Sequence, residues 1–287
     1  MRFTKVESVG NDYVLLDAIA EPLLASIDDL AQHAQVLSHR RTGVGADGLL
    51  ILTRDDEGVI ELRVINADGS DGGVCANGLR CAVRVLLERG HASVKPRGTL
   101  RVRMGGRDLD ATPDYEGGAL RSVSVDMGPP AFGAGEIPID VEHAQHLGGV
   151  LWRVDGRELA CASMGNPHAV LFADGALDEL PSSGRAIEHH QAFPERTNVH
   201  AARVIAPDRL RVSSWERGSG MTHACGTGVC AVTACAVRLG LVEGVLRVEV
   251  PGGALTCSWS GDDGDGVILE GPARVVYEGE WSLRDEA

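Results

Sequence analysis

Gly228-Val229-Cys230-Ala231-Val232-Thr233-Ala234-Cys235-Ala236-Val237-Arg238-Leu239, closed by Gly240, sets the architecture. A helix is predicted over 228–239, because the segment runs unbroken to a glycine of the kind that caps helix C-termini. Its apolar residues occupy almost every face, and a helix hydrophobic all round must be buried. At about twelve residues it is too short to span a bilayer. It is therefore expected to run through the middle of a lobe with a sheet wrapped around it, which puts Cys225 at its entrance.

The arrangement occurs twice. Cys75-Ala76-Asn77-Gly78-Leu79-Arg80-Cys81-Ala82-Val83 resembles Cys225-Gly226-Thr227-Gly228-Val229-Cys230-Ala231-Val232, an offset of 150 (225 − 75). Upstream, Gly10-Asn11-Asp12-Tyr13-Val14-Leu15-Leu16 resembles Gly165-Asn166-Pro167-His168-Ala169-Val170-Leu171, an offset of 155 (165 − 10). A polar residue on a strand-like run, Asn66 in one copy and Glu216 in the other, stands nine positions before each cysteine. Two motifs that keep their order and spacing point to duplicated lobes.

Short stretches rich in β-branched or alternating residues predict strands over 60–64, 100–103, 122–125, 210–215, 246–250 and 274–277, and helices are predicted over 28–37 and 78–88. The expected fold is α+β: two pseudo-symmetric lobes, each a mainly antiparallel sheet wrapped around a central buried helix, with the active site in the inter-lobe cleft. The N-terminal lobe is expected over 1–117 with 270–287 and carries Cys75. The C-terminal lobe is expected over 118–269 and carries Cys225, with the boundary near the Gly117-Gly118 pair and the Pro129-Pro130 region shortly after.

Composition excludes other classes. The 287 residues are 44% hydrophobic and 24% charged, which is neither a disordered nor a collagen-like chain. No apolar run approaches the ~20 residues of a membrane span. The formal charge of −14 disfavours binding to a phosphate backbone, so neither nucleic acid nor membrane is an expected partner. Seven cysteines gathered mainly in two short stretches, with no signal-peptide pattern at the N-terminus, suit a reducing cytoplasm better than a disulfide framework. Their spacings lack the C-x-x-C or H-x-x-x-H pairs of a structural zinc site, and no metal is expected. The string Gly43-Val44-Gly45-Ala46-Asp47-Gly48 fits a dinucleotide fingerprint, but a helical stretch precedes it and a strand follows, the reverse of the required context.

A Gly-x-Gly or x-x-Gly helix start exposes N–H donors at the positive end of the helix dipole, which favours an anion and lowers the pKa of a thiol placed there. Two such thiols facing each other can remove a proton from one face of a carbon and deliver one to the other, inverting a stereocentre. Cys81, Cys161, Cys230, Cys235 and Cys257 read as small core residues, and His189 and His190 as solvated loop residues.

The motifs Gly10-Asn11-Asp12-Tyr13, Asn66-Ala67-Asp68-Gly69-Ser70, Cys75 to Cys81, Gly165-Asn166-Pro167-His168, Asn198-Val199, Trp215-Glu216-Arg217-Gly218 and Ala224-Cys225-Gly226-Thr227-Gly228 closely resemble the diaminopimelate epimerase family, nearly end to end and in the same order. The resemblance implies an isomerase that interconverts LL- and meso-diaminopimelate without pyridoxal phosphate or any other cofactor, on the route to lysine. It makes Cys75 and Cys225 the acid/base thiols. It gives substrate binding to Asn11, Asn66, Asn166, Asn198, Glu216 and Arg217, and to the backbone N–H groups of Ala76, Asn77, Gly226 and Thr227. His168 and Glu216 become candidates for tuning the thiols or holding the substrate ammonium. A homodimer is common among relatives.

Several positions depart from the family pattern. Ala76 stands where glycine is usual, Glu7-Ser8-Val9 precedes Gly10, Gly72-Gly73-Val74 precedes Cys75, Met221 and His223 precede Cys225, and Gly48 replaces the glutamine of some members. The alternatives are a racemase of another amino acid, such as histidine or proline, on the same scaffold, and a non-enzymatic protein using the thiols as a disulfide switch.

Overall fold

A computed structural model describes residues 1–95 and 98–282. Residues 283–287, part of the stretch assigned above to the first lobe, lie outside the described residues. The chain divides into two compact units, Met1–Val125 with Gly271–Ala287 and Asp126–Glu270. Gly117 and Gly118 do not separate them. With φ of 60° and 84° they turn a β-hairpin inside the first unit, a left-handed conformation that glycine adopts without strain.

Strands and helices are numbered in chain order. Unit 1 holds β1 (Arg2–Ser8), β2 (Asn11–Asp17), α1 (Leu30–Ser38), β3 (Gly48–Arg54), β4 (Ile60–Asn66), α2 (Ala76–Glu88), β5 (Leu100–Met104), β6 (Arg107–Glu116) and β7 (Ala119–Asp126). Unit 2 holds β8 (Gln145–Gly148), β9 (Leu151–Val154), β10 (Arg157–Ser163), β11 (Pro167–Leu171), α3 (Ala176–Glu188), β12 (Asn198–Ala206), β13 (Arg209–Glu216), β14 (Gly220–Thr222), α4 (Gly226–Arg238), β15 (Val245–Val250), β16 (Gly253–Ser258) and β17 (Ile268–Gly271). The last strand, β18 (Arg274–Glu280), returns to unit 1 and pairs with β1.

Within unit 1 neighbouring strands follow the order β18-β1-β2-β3-β4-β5-β6-β7, antiparallel except for β2–β3 and β4–β5. Unit 2 has the order β9-β10-β11-β12-β13-β15-β16-β17 with β11–β12 and β13–β15 parallel, while β8 extends the β9 edge and β14 folds back on β13. Each parallel pair is bridged by a helix, as a parallel connection requires. The two units thus repeat one topology, with α1 and α3 in equivalent places and α2 and α4 likewise.

The predicted central helices are buried. Every residue of α4 from 227 to 236 is buried, and the helix packs against β10, β11, β12, β13 and β16. In unit 1, α2 packs against β1, β2, β3, β4, β6 and β18. Both end at glycines of positive φ, Gly90 (71°) and Gly240 (66°), whose N–H groups bond back to Leu87 and Val237. Both start two residues earlier than predicted, so each glycine of the motif lies inside the first turn and each cysteine is the N-cap.

The opposite face of unit 1 is covered by α1, whose Ala34 and Leu37 meet Val14, Leu16, Leu49 and Ile51. Strands β2 and β3 are therefore buried on both faces and read as continuous apolar runs, Val14-Leu15-Leu16 and Leu49 to Leu52, which alternation does not reveal.

Helix α3 was not predicted, because Pro181 and Gly184 interrupt its helical pattern. Tertiary packing holds it: Leu180 and Ile187 enter the core of unit 2, and Trp215 lies against Gly184, where an added Cβ would come within 2.6 Å of the indole. Replacing Gly184 by alanine would gain up to about 1 kcal/mol of helix propensity, but overpacking costs about 1–3 kcal/mol. Gly184→Ala is expected to lower the urea midpoint without changing the slope of the transition. A raised midpoint would mean that Trp215 relaxes freely.

Candidate active site

In unit 1 the polypeptide leaves β4 at Asn66, passes a turn and enters α2 at Cys75. Asn66 stays within that turn, its Nδ2 donating to Ser70 Oγ at 3.0 Å. The glycines of the departing segment have a physical reason. Gly73 has φ of 56°, and a Cβ at Gly72 would lie 2.6 Å from Val64. Cys75 has extended backbone angles (φ −128°, ψ 105°), and its Sγ accepts from Gly78 N–H at 3.4 Å. The thiol is only partly buried.

Residues far apart in sequence converge on it. The Tyr13 hydroxyl is 2.9 Å from Cys75 Sγ and 2.5 Å from Asn11 Oδ1. Asn77 Nδ2 donates to the same Oδ1 at 3.1 Å, and Asn11 Nδ2 donates to Asp47 Oδ2 at 2.6 Å. Behind Asn77 lies Arg80, fully buried, whose guanidinium donates to Asn77 Oδ1 and Ser8 Oγ. Asn11, Asn77 and Cys75 are thus brought together. Tyr13, Asp47 and Arg80 join them without having been singled out from sequence.

In unit 2, β13 ends at Glu216 and α4 begins after Cys225. Cys225 is buried, with Thr227 Oγ1 at 3.7 Å from its sulfur. Burial pushes this thiol well above its ordinary range and the Glu216 carboxylate adds to the effect, while Thr227 and the Gly228 N–H pull the other way. Glu216 itself accepts from the Thr222 hydroxyl at 2.6 Å. Asn198 is locked by two backbone contacts, donating to Pro167 O at 3.0 Å and accepting from Arg217 N–H at 2.9 Å. The Arg217 side chain is exposed and reaches Glu195 O. Of the departures from the family pattern, Met221 and His223 are exposed.

Asn166 donates to Thr227 Oγ1 at 3.4 Å, and its Oδ1 accepts from His168 Nε2 at 2.8 Å. His168 Nδ1 is 2.9 Å from His200 Nε2, and His200 Nδ1 is 2.9 Å from Ser214 Oγ. With the Asn166 oxygen placed towards His168, proton counting gives the direction of this chain. An amide oxygen only accepts, so His168 carries its proton on Nε2. A neutral His168 then accepts at Nδ1 from His200 Nε2, and Ser214 donates to His200 Nδ1. Burial, helped by His200 and Arg217, holds His168 well below the usual imidazole range, and burial holds His200 at about 3. His200 also explains Gly228, because a Cβ there would come within 2.2 Å of the imidazole. His168 therefore acts on the amide of Asn166, and neither His200 nor Ser214 was marked by any motif. Among the described residues, no three His, Cys, Asp or Glu side chains are grouped as metal ligands would be.

These histidines have a stability signature. Unfolded, each takes a proton near pH 6.5; folded, each stays neutral well below that. Stability is thus at its reference level above about 6.5 and is lost as pH falls towards the folded values, by about 2 kcal/mol for His200 between pH 6.5 and 4.5. The double variant His200→Leu/Ser214→Val copies the apolar pair Leu50 and Val64, which occupies the same register in unit 1. It is expected to lose the His200 share of that acid sensitivity in thermal melts. An unchanged slope would show that His200 is protonated in the fold.

Comparison with known proteins accords with this arrangement. The sequence model of the family described as "Diaminopimelate epimerase" matches residues 3–133 and 160–276. The diaminopimelate epimerase of Azotobacter vinelandii is 40% identical over 289 residues, covering 99% of each chain, and that of Acidiphilium cryptum is 41% identical over 280 residues, covering 97% of this chain and 95% of the relative. Solved structures share the fold at low identity. A probable proline racemase from Agrobacterium radiobacter superposes with a TM-score of 0.70 at 15% identity, covering 99% of this chain and 94% of that one. A phenazine biosynthesis protein of the PhzF family from Bacillus anthracis gives 0.69 at 15% identity, covering 99% of both. Through the full-length match and the two cysteine-capped helices in equivalent units, the chain belongs to the diaminopimelate epimerase family.

Proposed function

We propose that this protein interconverts LL- and meso-diaminopimelate in lysine biosynthesis, without a cofactor, using Cys75 and Cys225 as its two proton carriers. The observation that carries this reading is one arrangement repeated within a member of the family: a cysteine N-capping a 13-residue buried helix at the same point of two equivalent units.

In this mechanism one sulfur, as thiolate, takes the α-proton, and the electron pair of the C–H bond remains on the α-carbon and its carboxylate. The other sulfur, as thiol, gives its proton to the opposite face. One thiol is consumed and one formed, so the enzyme ends primed for the reverse reaction. The α-carboxylate is assigned to the N–H groups of Ala76, Asn77, Gly226 and Thr227, where first-turn donors and the helix dipole stabilise added negative charge most as the carbanion develops. Asn11, Asn66, Asn166, Asn198, Glu216 and Arg217 are assigned to the rest of the substrate, and His168 supports Asn166. Glu216 also favours Cys225 as thiol in the free protein. No helix among the described residues is long and apolar enough to cross a membrane. The seven free thiols suit the cytoplasm, to which we assign the enzyme.

Incubation in heavy water with a panel containing diaminopimelate, proline, hydroxyproline and histidine tests the reading. Solvent deuterium is expected at the α-carbon of diaminopimelate far faster than in the others, with a bell-shaped pH dependence, because one sulfur must be charged while the other is not. Cys75→Ser and Cys225→Ser should each lower epimerisation by about 10²–10⁴-fold. Faster exchange into proline or histidine would replace the assigned substrate, and full activity in either variant would remove the two-thiol mechanism.

A further inference from the structure

We propose that Tyr13 is a catalytic residue of unit 1, its hydroxyl turning its single proton between Asn11 and the sulfur of Cys75 as that sulfur gains and loses its own. This rests on the reading of Cys75 as an acid/base thiol. The geometry comes from hydrogen bonds whose directions are fixed at both ends by charges.

At one end the Arg80 guanidinium can only donate, so the oxygen of Asn77 faces it and Asn77 Nδ2 points to Asn11. At the other end Asp47 Oδ2 accepts from Asn11 Nδ2 and from Asp12 N–H, so the oxygen of Asn11 faces Asn77 and Tyr13. Asn11 Oδ1 has no proton to offer. When Tyr13 donates to it across 2.5 Å, the phenol oxygen presents only lone pairs to Cys75 Sγ at 2.9 Å, and the sulfur must be the donor. Each hydrogen bond from Asp47 to Cys75 then has one donor and one acceptor, with Cys75 as thiol. When Cys75 is a thiolate, the phenol proton has a stronger acceptor in the sulfur, and a rotation about the C–O bond delivers it there. No proton leaves Tyr13 in either state. Burial and the neighbouring Cys75 keep the phenol pKa well above its ordinary range, so it remains a donor.

In the reaction, the Cys75 thiolate takes the α-proton: the C–H bond breaks, the S–H bond forms, and the electron pair stays with the substrate. The Tyr13 proton, freed from the sulfur, returns to Asn11 Oδ1. The hydroxyl thus matches both protonation states with no movement of the backbone. The equivalent position in unit 2 is His168, which pairs with Asn198 as Tyr13 pairs with Gly48, and which donates to Asn166 as Tyr13 does to Asn11. The titratable and charged groups facing the Tyr13–Cys75 pair are Cys81 on α2 and Asp47 before β3, the latter held by Arg40, while Arg80, Arg84 and Glu7 face Cys81 behind it.

The test uses the full chain and Tyr13→Phe, which removes one oxygen. Iodoacetamide labelling of Cys75, located by peptide mass spectrometry across pH, reads the sulfur directly, and kcat and KM on diaminopimelate read its use. Loss of a charge-assisted donor should slow labelling at neutral pH about tenfold and move its midpoint up by about one pH unit. The acidic limb of the kcat/KM profile should move the same way, with KM nearly unchanged. Global replacement of the three tyrosines by 3-fluorotyrosine, whose hydroxyl is a better donor, should shift labelling of Cys75 to lower pH and covers the case of a poorly folding Phe variant. Labelling that is unchanged or faster in Tyr13→Phe, or slower labelling with an unmoved kcat/KM profile, would overturn the proposal. Absence of turnover in the unsubstituted protein would instead count against the epimerase reading, since labelling reports the Tyr13–Cys75 contact without any substrate.

Discussion

Two helices buried on nearly every side govern this molecule. In unit 2 the helix has no polar face before Arg238 and cannot lie on a surface; in unit 1 the helix carries Arg80 and Arg84 yet is buried throughout 76–83, so the strands of each unit close around it. Burial leaves the helix with unsatisfied N–H donors in its first turn. In both units a cysteine caps that turn, with a thiol that can bond a first-turn N–H without carrying a permanent charge. The demand of packing and the opportunity for chemistry therefore meet at one residue in each unit.

The units share a topology but fill it differently around that residue. At one register position unit 1 pairs Leu50 with Val64, where unit 2 pairs His200 with Ser214. A glycine of the central helix faces each: a Cβ on Gly78 would come within 3.0 Å of Leu50, and one on Gly228 within 2.2 Å of His200. Unit 1 instead places its charge inside the helix, with Arg80 behind Asn77, where unit 2 has Cys230 behind Thr227. The two thiols consequently sit in unlike surroundings. Cys75 is partly open beside a phenol, and Cys225 is enclosed beside a carboxylate that holds its proton in place. A reaction that needs one charged and one neutral sulfur is helped by such inequality.

Second-layer groups organise the polar residues. In unit 2, Ser214, His200 and His168 form a hydrogen-bonded chain that ends on the Asn166 amide; in unit 1, Arg80 and Asp47 aim Asn77 and Asn11 from opposite ends. The amides named by the family motifs thus meet groups inside those motifs, Arg80 and His168, and groups outside them, Asp47, His200 and Ser214. The interrupted helix α3 has a related role, because its Glu188 accepts from the Trp215 indole and from Gly218 N–H and so fixes the chain on either side of Glu216.

What the sequence determined by itself is what short-range physics writes into it. The all-round apolar segment, its glycine stop, the cysteine at its entrance and the doubled order of motifs each depend on a few adjacent residues, and they sufficed for the two-unit architecture and for the positions of Cys75 and Cys225. Only the tertiary structure decided the rest. Helix α3 forms against its own Pro181 and Gly184 because the core and Trp215 need it there. Tyr13 meets Cys75 across 62 residues and His200 meets His168 across 32, through strand register and sheet order. A one-residue slip would turn either side chain to the opposite face, and nothing local to Tyr13 or His200 records which neighbour the register brings to it.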